Sequence, residues 1–224
     1  MGTLAVNRKG FITGAQAGSY TDGHGATTGT ATDSATGNQA LAIQYLFSTG
    51  RGSAIHRFTR TFLHFNTQGL SAGSSFILQI TGNSSAEGNV IAVKHTAGNS
   101  SGGELANDDF NNIDRTVPYS ASTAWSSSSQ VSISLNAVAI QQIISEDNFN
   151  IALIGIEDFN AEEENPLEAA GDITRGVAFS STIQLSYTDT ASGYTHKING
   201  VAAASIGKVN TVATASLGKI NTVD

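Results

Sequence analysis

Two stretches of the chain carry the oxygen-rich side chains that hydrolysis or metal binding would need. Glu157 and Asp158, followed by Glu162-Glu163-Glu164, could supply the carboxylate pair of a glycoside hydrolase. A catalytic carboxylate needs partial burial to tune its pKa, so a solvated acidic loop over residues 157–172 is the plainer reading. The run from Asn107 to Asp114 offers hard oxygens of the kind calcium takes, with Asp108, Asp109 and Asp114 as candidate ligands. It lacks the regular alternation and the glycine of a calcium loop, and turn or cap chemistry accounts for it as well. His24, His56, His64, His95 and His196 are far apart, with no His-x-x-x-His spacing and no cysteine to complete a transition-metal site. His64 alternates with Phe62 and is expected in the packed interior or at its edge. Tyr119 and Trp125 are candidates for stacking on a sugar ring, against the alternative of a core tryptophan. No nucleophile elbow, phosphate loop or dinucleotide fingerprint occurs. The reading is therefore non-enzymatic, with no catalytic residue, resident metal or cofactor expected.

The bulk composition limits the alternatives. Among 224 residues only 13% are charged, Gly occurs 24 times, and the net charge is −7. Short strands joined by many turns suit this composition better than helices do. The 11 Lys and Arg are scattered, which argues against nucleic acid, since phosphate binding needs clustered cations. The absence of cysteine removes disulfides and thiolate metal sites. The first ten residues lack the apolar run of a secretion signal, Val6 stands where a myristoylation motif wants Ser or Thr, and no run approaches a bilayer span. The expectation is a soluble chain made in a cytoplasm, without membrane insertion.

Positioning elements follow from periodicity. Residues 1–40 are rich in Gly and Thr and nearly devoid of bulky side chains, with Phe11 and Tyr20 as large anchors, so an arm or long loop is expected there. Strands are expected over 41–47, 55–65, 76–80, 89–95, 131–135, 149–156 and 176–187, several with strict period-two alternation. The strand ending in Phe62-Leu63-His64-Phe65 and the strand from Phe149 to Ile156 are apolar on both faces and belong in the middle of a layered structure. One helix is expected over Ala137 to Ile144, capped by Asn136, with Ile140, Ile143 and Ile144 on one side. Long connections between about seven or eight strands point to an all-β, jelly-roll-like β-sandwich over residues 41–190.

After Gly193 an eleven-residue repeat begins. Residues 201–211 (VAAASIGKVNT) align with 212–222 (VATASLGKINT), and a half-copy runs from His196 to Val201. Gly207, Gly218 and the neighbouring β-branched and Asn residues oppose a helix, so an extended Lys-[Val/Ile]-Asn-Thr-Val segment is expected. Two such units bury too little surface alone and must borrow a core from another chain. Candidate docking residues are Ile198, Val201, Ile206, Lys208, Val209, Val212, Leu217, Lys219, Ile220 and Val223. Residues 191–224 carry three Lys and one Asp, a net +2, against −9 for residues 1–190, which suits docking on an acidic surface and equally suits solvated lysines on a strand edge.

Arg60-x-Phe-Leu-x-Phe65, followed by Leu70-x-x-Gly-x-x-Phe-x-Leu-x-Ile80, resembles the opening of the DNRLRE-type jelly rolls, β-sandwich domains similar to carbohydrate-binding modules. Trp125, the 131–135 strand, the helix and the 149–156 strand are similar to the close of that family's domain. The Lys-Ile-Asn-Gly-Val repeats behind a β domain resemble the C-termini of virion proteins of tailed bacteriophages. That resemblance implies a structural part of a phage particle: a tail fibre, a baseplate or neck appendage, or a capsid decoration. It would be located in the virion, be assembled in the host cytoplasm, contact other virion proteins, and form a homo-oligomer, with a trimer favoured. The alternative is a carbohydrate-binding module recognising a host surface glycan.

Overall fold

The computed structural model describes residues 2–34, 41–48, 55–70, 75–86, 88–98, 103–125, 130–161, 173–188, 208–209 and 212–213. In chain order these contain β1 (Gly2–Ala5), β2 (Arg8–Gly14), α1 (Tyr20–His24), β3 (Gly29–Ser34), β4 (Leu41–Ser48), β5 (Ile55–Asn66), β6 (Ser75–Ala86) and β7 (Asn89–His95). A 3-10 helix (Asn107–Asn111), β8 (Ile113–Pro118), β9 (Thr123–Ala124), β10 (Gln130–Ser134), α2 (Ala137–Ser145), β11 (Asn148–Gly155), α3 (Ile156–Asn160) and β12 (Ile173–Thr188) follow. The tail contributes a two-residue ladder, β13 (Lys208–Val209) with β14 (Val212–Ala213).

The fold is an all-β sandwich of antiparallel strands, hydrogen-bonded along the path β10-β6-β12-β4-β5-β11-β7-β8. β5 is where the path divides into layers. Its first part, Ile55 to Thr59, pairs with β4, while Thr59 to His64 pairs with β2 and Thr61 to Asn66 with β11. One layer is β10-β6-β12; the other contains β2, β5, β11 and β7. Period-two alternation sends Phe76, Leu78 and Ile80 of β6, Val131 and Ile133 of β10, and Ile183 and Leu185 of β12 into one cluster with Leu63, Phe65, Val90, Ala92, Phe149, Ile151 and Leu153 from the facing layer. Each fully buried side chain of this size contributes about 1.5–3 kcal/mol. α2 closes one end: the Asn136 side-chain oxygen accepts the N–H groups of Val138 and Ala139, and Ala139 and Ile143 enter the same cluster.

The opposite face of β5 and β11 is buried as well. Phe58, Phe62, Ala152 and Ile154 pack with Ile12, Tyr20, Tyr45 and Phe110 in a second cluster, covered by α1, the 3-10 helix and α3. Two buried faces are why β5 and β11 read as near-continuous apolar runs.

Of the segment expected as an arm or long loop, the described part differs from that expectation. Residues 2–34 are built into the sandwich: β1 pairs with β12, β2 lies between β5 and β3, and Ile12 and Tyr20 are buried. The Gly/Thr composition has a packing cause. Gly14 and Gly29 are cross-strand partners, and the Phe110 ring lies where a Gly14 Cβ would come within 2.7 Å of it. At Gly29 a Cβ would stand 2.5 Å from the Thr13 carbonyl oxygen. Thin strands are what allow Phe110 and the second cluster to close over this face. Among the described residues no helix is long and apolar enough to cross a membrane.

Gly29→Ala is expected to cost about 1–3 kcal/mol through overpacking against fixed backbone. Gly18→Ala, where a Cβ meets nothing within 4 Å, should change the urea midpoint little by comparison.

Candidate functional site

The charged residues expected to be solvated include one that is not. Asp158, in α3, is 2% exposed, and its carboxylate receives the Arg60 guanidinium, with Nε donating to Oδ2 at 2.7 Å and Nη2 to Oδ1 at 3.0 Å. Arg60 lies on β5 between Phe58 and Phe62 and is fully buried. Its remaining donors reach the Phe110 carbonyl at 2.8 Å and the His24 carbonyl at 2.9 Å, and its charge sits 3.9 Å from the Phe110 ring centroid. Arg115 of β8 adds a third arm, Nε to Asp158 Oδ1 at 3.2 Å, and also donates to the Asn111 side-chain oxygen. His24 donates from Nε2 to the Asp158 carbonyl at 2.8 Å. Burial alone would raise the Asp158 pKa, but the charge and hydrogen bonds of Arg60, then Arg115 and His24, outweigh it and hold the carboxyl below its ordinary range. For His24 burial outweighs Asp158, and the imidazole is pushed down toward its neutral form. The acidic-loop expectation is therefore corrected at Asp158: it is the centre of a buried network tying α1, β5, the 3-10 helix, β8 and α3. With its oxygens committed to these donors, it is not placed as a hydrolytic carboxylate. Glu162, Glu163 and Glu164 lie outside the described residues.

The calcium candidates do not converge. Asp109 Oδ2 accepts the Gly98 and Ala106 N–H groups, both at 2.9 Å, and Oδ1 accepts from the Asn112 amide, so it clamps its own loop. Asp114 is exposed, and its Oδ1 accepts from the Thr116 N–H and hydroxyl; those bonds hold its pKa below the usual carboxylate value. Asp108 is exposed. Among the described residues no group of three or more His, Cys, Asp or Glu is placed to hold a metal ion. His64 is buried and bonded through Nδ1 to the Asn150 side-chain oxygen at 2.8 Å. His95 is buried too, its Nε2 donating to the Leu63 carbonyl and its Nδ1 accepting from the Ala97 N–H. Burial lowers its pKa to about 4.

The sugar-stacking pair is not brought together. Tyr119 bonds through its backbone N–H to Ala92 of β7 and Trp125 through its own to Gly88, four residues apart, or roughly 13 Å along a strand. Tyr119 is 3% exposed, stacks on Phe149 at 5.6 Å, and donates its hydroxyl to the Gln142 side-chain oxygen. Trp125 is half-buried against the inner cluster.

What the surface does present is a cleft of about 590 Å³ between β8 and α2, lined by Lys94, Asp114, Val117, Tyr119, Val138 and Glu146, among others. Val117 is 41% exposed and Val138 51%, the exposed large apolar residues among those described, and both open into this cleft. A bulge creates one wall: Val93 and Lys94, adjacent on β7, pair with Pro118 and Asp114, so residues 115–117 have no partners on β7. The other wall is α2, where Gln142 bonds both Tyr119 and Glu146 and fixes the floor. Sequence reading placed Tyr119 at a site but missed the cleft, because a bulge leaves no mark in hydropathy. Of the candidate docking residues, Lys208, Val209 and Val212 fall within β13 and β14; Ile198, Val201, Ile206, Leu217, Lys219, Ile220 and Val223 lie outside the described residues. No family model matches the chain, and no curated protein matches it.

Asp158→Asn should cost about 3–5 kcal/mol in thermal or urea unfolding, because Arg60 is left buried without its counter-charge. His95 gives a pH signature. Its folded pKa lies below the unfolded value of 6.5, so the unfolded state binds the extra proton as pH falls. Its contribution is present above pH 6.5 and lost progressively toward pH 4, roughly 3 kcal/mol over that window. Melting curves at pH 7 and pH 4.5 should show the gap between wild type and His95→Gln narrowing at the acid end.

Proposed function

We propose that the chain is a non-enzymatic structural component of a bacteriophage particle, a tail fibre, baseplate or neck appendage, or capsid decoration. The sandwich is its rigid body, and the repeat tail attaches it to neighbouring subunits. The observation that carries this reading is the tail itself. Two eleven-residue units keep the same apolar slots, exchanging residues only among Ile, Val and Leu apart from Ala203 against Thr214. Such conservation of slots between units makes physical sense when each is covered by a similar surface, and two units are too small to cover themselves. The excess of lysine over acid in residues 191–224, against the acidic remainder, favours attachment to another copy of the chain. The similarity of the Lys-Ile-Asn-Gly-Val units to virion-protein C-termini gives the particle as the setting. A sandwich whose few buried charges are spent on tying its own elements together suits a passive, durable part.

Full-length protein is expected to sediment as a homo-oligomer, a trimer being favoured, and an antibody raised against it should label purified phage particles at repeated positions. A monomer at all concentrations, or unlabelled particles, would overturn the reading.

A further inference from the structure

We infer that the cleft between β8 and α2 is the receptor for a tail repeat of a neighbouring copy. The inference rests on the assembly reading and names its interface. Val117 and Val138 are apolar, exposed and convergent, with Ala137 beside them, so burying them is the gain a partner would provide. The rim carries the carboxylates of Asp114 and Glu146 and the single ammonium of Lys94, a net negative charge. Asp114 has an oxygen not used by Thr116, and Glu146 one not used by Gln142. A repeat supplies the complementary pattern: Lys208 or Lys219 for the carboxylates, then Val209 or Ile220 and Val212 or Val223 for the valines. Val209 and Val212 are cross-strand partners in the β13–β14 ladder, which brings these two positions together opposite the two valines of the cleft. The positive tail and the negative rim are complementary in every copy, and the double-cysteine variant below separates a neighbour's repeat from the chain's own.

The chain has no cysteine, which makes disulfide trapping direct. Full-length Gln141→Cys, on the cleft wall, is mixed with mass-tagged full-length Asn210→Cys under mild oxidation. A mixed cross-linked species is expected, and adding Val138→Glu to the first protein should lower its yield about tenfold. Val138 is half exposed on α2, so that substitution leaves the core intact. Glu146→Lys should weaken assembly in the same way, and combining it with Lys208→Glu and Lys219→Glu should restore it. Assembly that persists with no mixed cross-link overturns the cleft assignment and leaves the assembly reading standing. A cross-link formed only inside a Gln141→Cys/Asn210→Cys double variant overturns the exchange between copies. Cleft variants that change retention on a polysaccharide but not assembly overturn it in favour of a glycan occupant. A wild-type protein that never associates removes both readings.

Discussion

The ion pair between Arg60 and Asp158 is the constraint around which this sandwich is arranged. Arg60 stands on a strand buried on both faces, where an unpaired guanidinium could not be tolerated. Four hydrogen bonds and the Phe110 ring meet it, and they come from three parts of the chain: Asp158 from α3, Phe110 from the 3-10 helix, the His24 carbonyl from α1. These short elements each pack an apolar side chain on the outer face of β5, Tyr20, Phe110 and Ile156 with Phe159, and the buried charge, satisfied by all of them together, fixes how they converge. An apolar residue at position 60 would fill the space, but it would not dictate which three segments converge there. This is the sense in which a buried ion pair adds specificity to a core that hydrophobic burial alone already favours.

The same requirement explains why the N-terminal strands are so poor in side-chain volume. Phe110 covers Arg60 on one side and presses toward Gly14 on the other, so β2 and β3 must be thin where they pass beneath it. Asn107, one turn away, accepts the Ala31 N–H and so covers the outer edge of β3, which would otherwise offer a free donor to another strand. Low bulk in residues 10–34 is therefore a fit to a lid rather than a sign of absent structure.

How much of this was legible in the sequence depends on whether the signal is periodic or relational. The apolar pattern located β4, β5, β7, β10, β11 and β12 to within a few residues and the first half of β6, and Asn136 with its one-sided isoleucines located α2. Those elements bury one or two faces of a regular repeat, so their pattern is local. β2 and β3 escaped because they fit against Phe110, almost a hundred residues away, and β1 because its partner is β12, at the far end of the domain. Asp158 escaped for the same reason: within Ile-Glu-Asp-Phe-Asn it looks like any acidic loop residue, and only its pairing with a distant arginine makes it interior. Arg60 was the available clue. A lone arginine flanked by Phe58, Phe62 and Leu63 demands a buried counter-charge, although which of the chain's carboxylates answers it is a property of the folded topology. The cleft was illegible in a third way, since it arises from residues that depart from strand pairing.

That departure links the buried network to the surface. Arg115, the first of the unpaired residues in β8, turns inward to Asp158 and Asn111, and two positions later Val117 emerges into the cleft. A regular strand would alternate Arg115 and Val117 onto the same face; the bulge separates them, sending the cation to the interior and the valine outward. Asp114 stabilises the turn by accepting both Thr116 donors, while its second oxygen stays at the rim. The bulge also blunts the outermost strand of that layer, so another chain meets a shaped groove there in place of an open row of backbone donors and acceptors. A segment bound at this edge would have to be read through side chains, by apolar contact flanked by charge. The reach of Arg115 to the central carboxylate and the exposure of Val117 at the margin are two consequences of one displaced stretch of backbone.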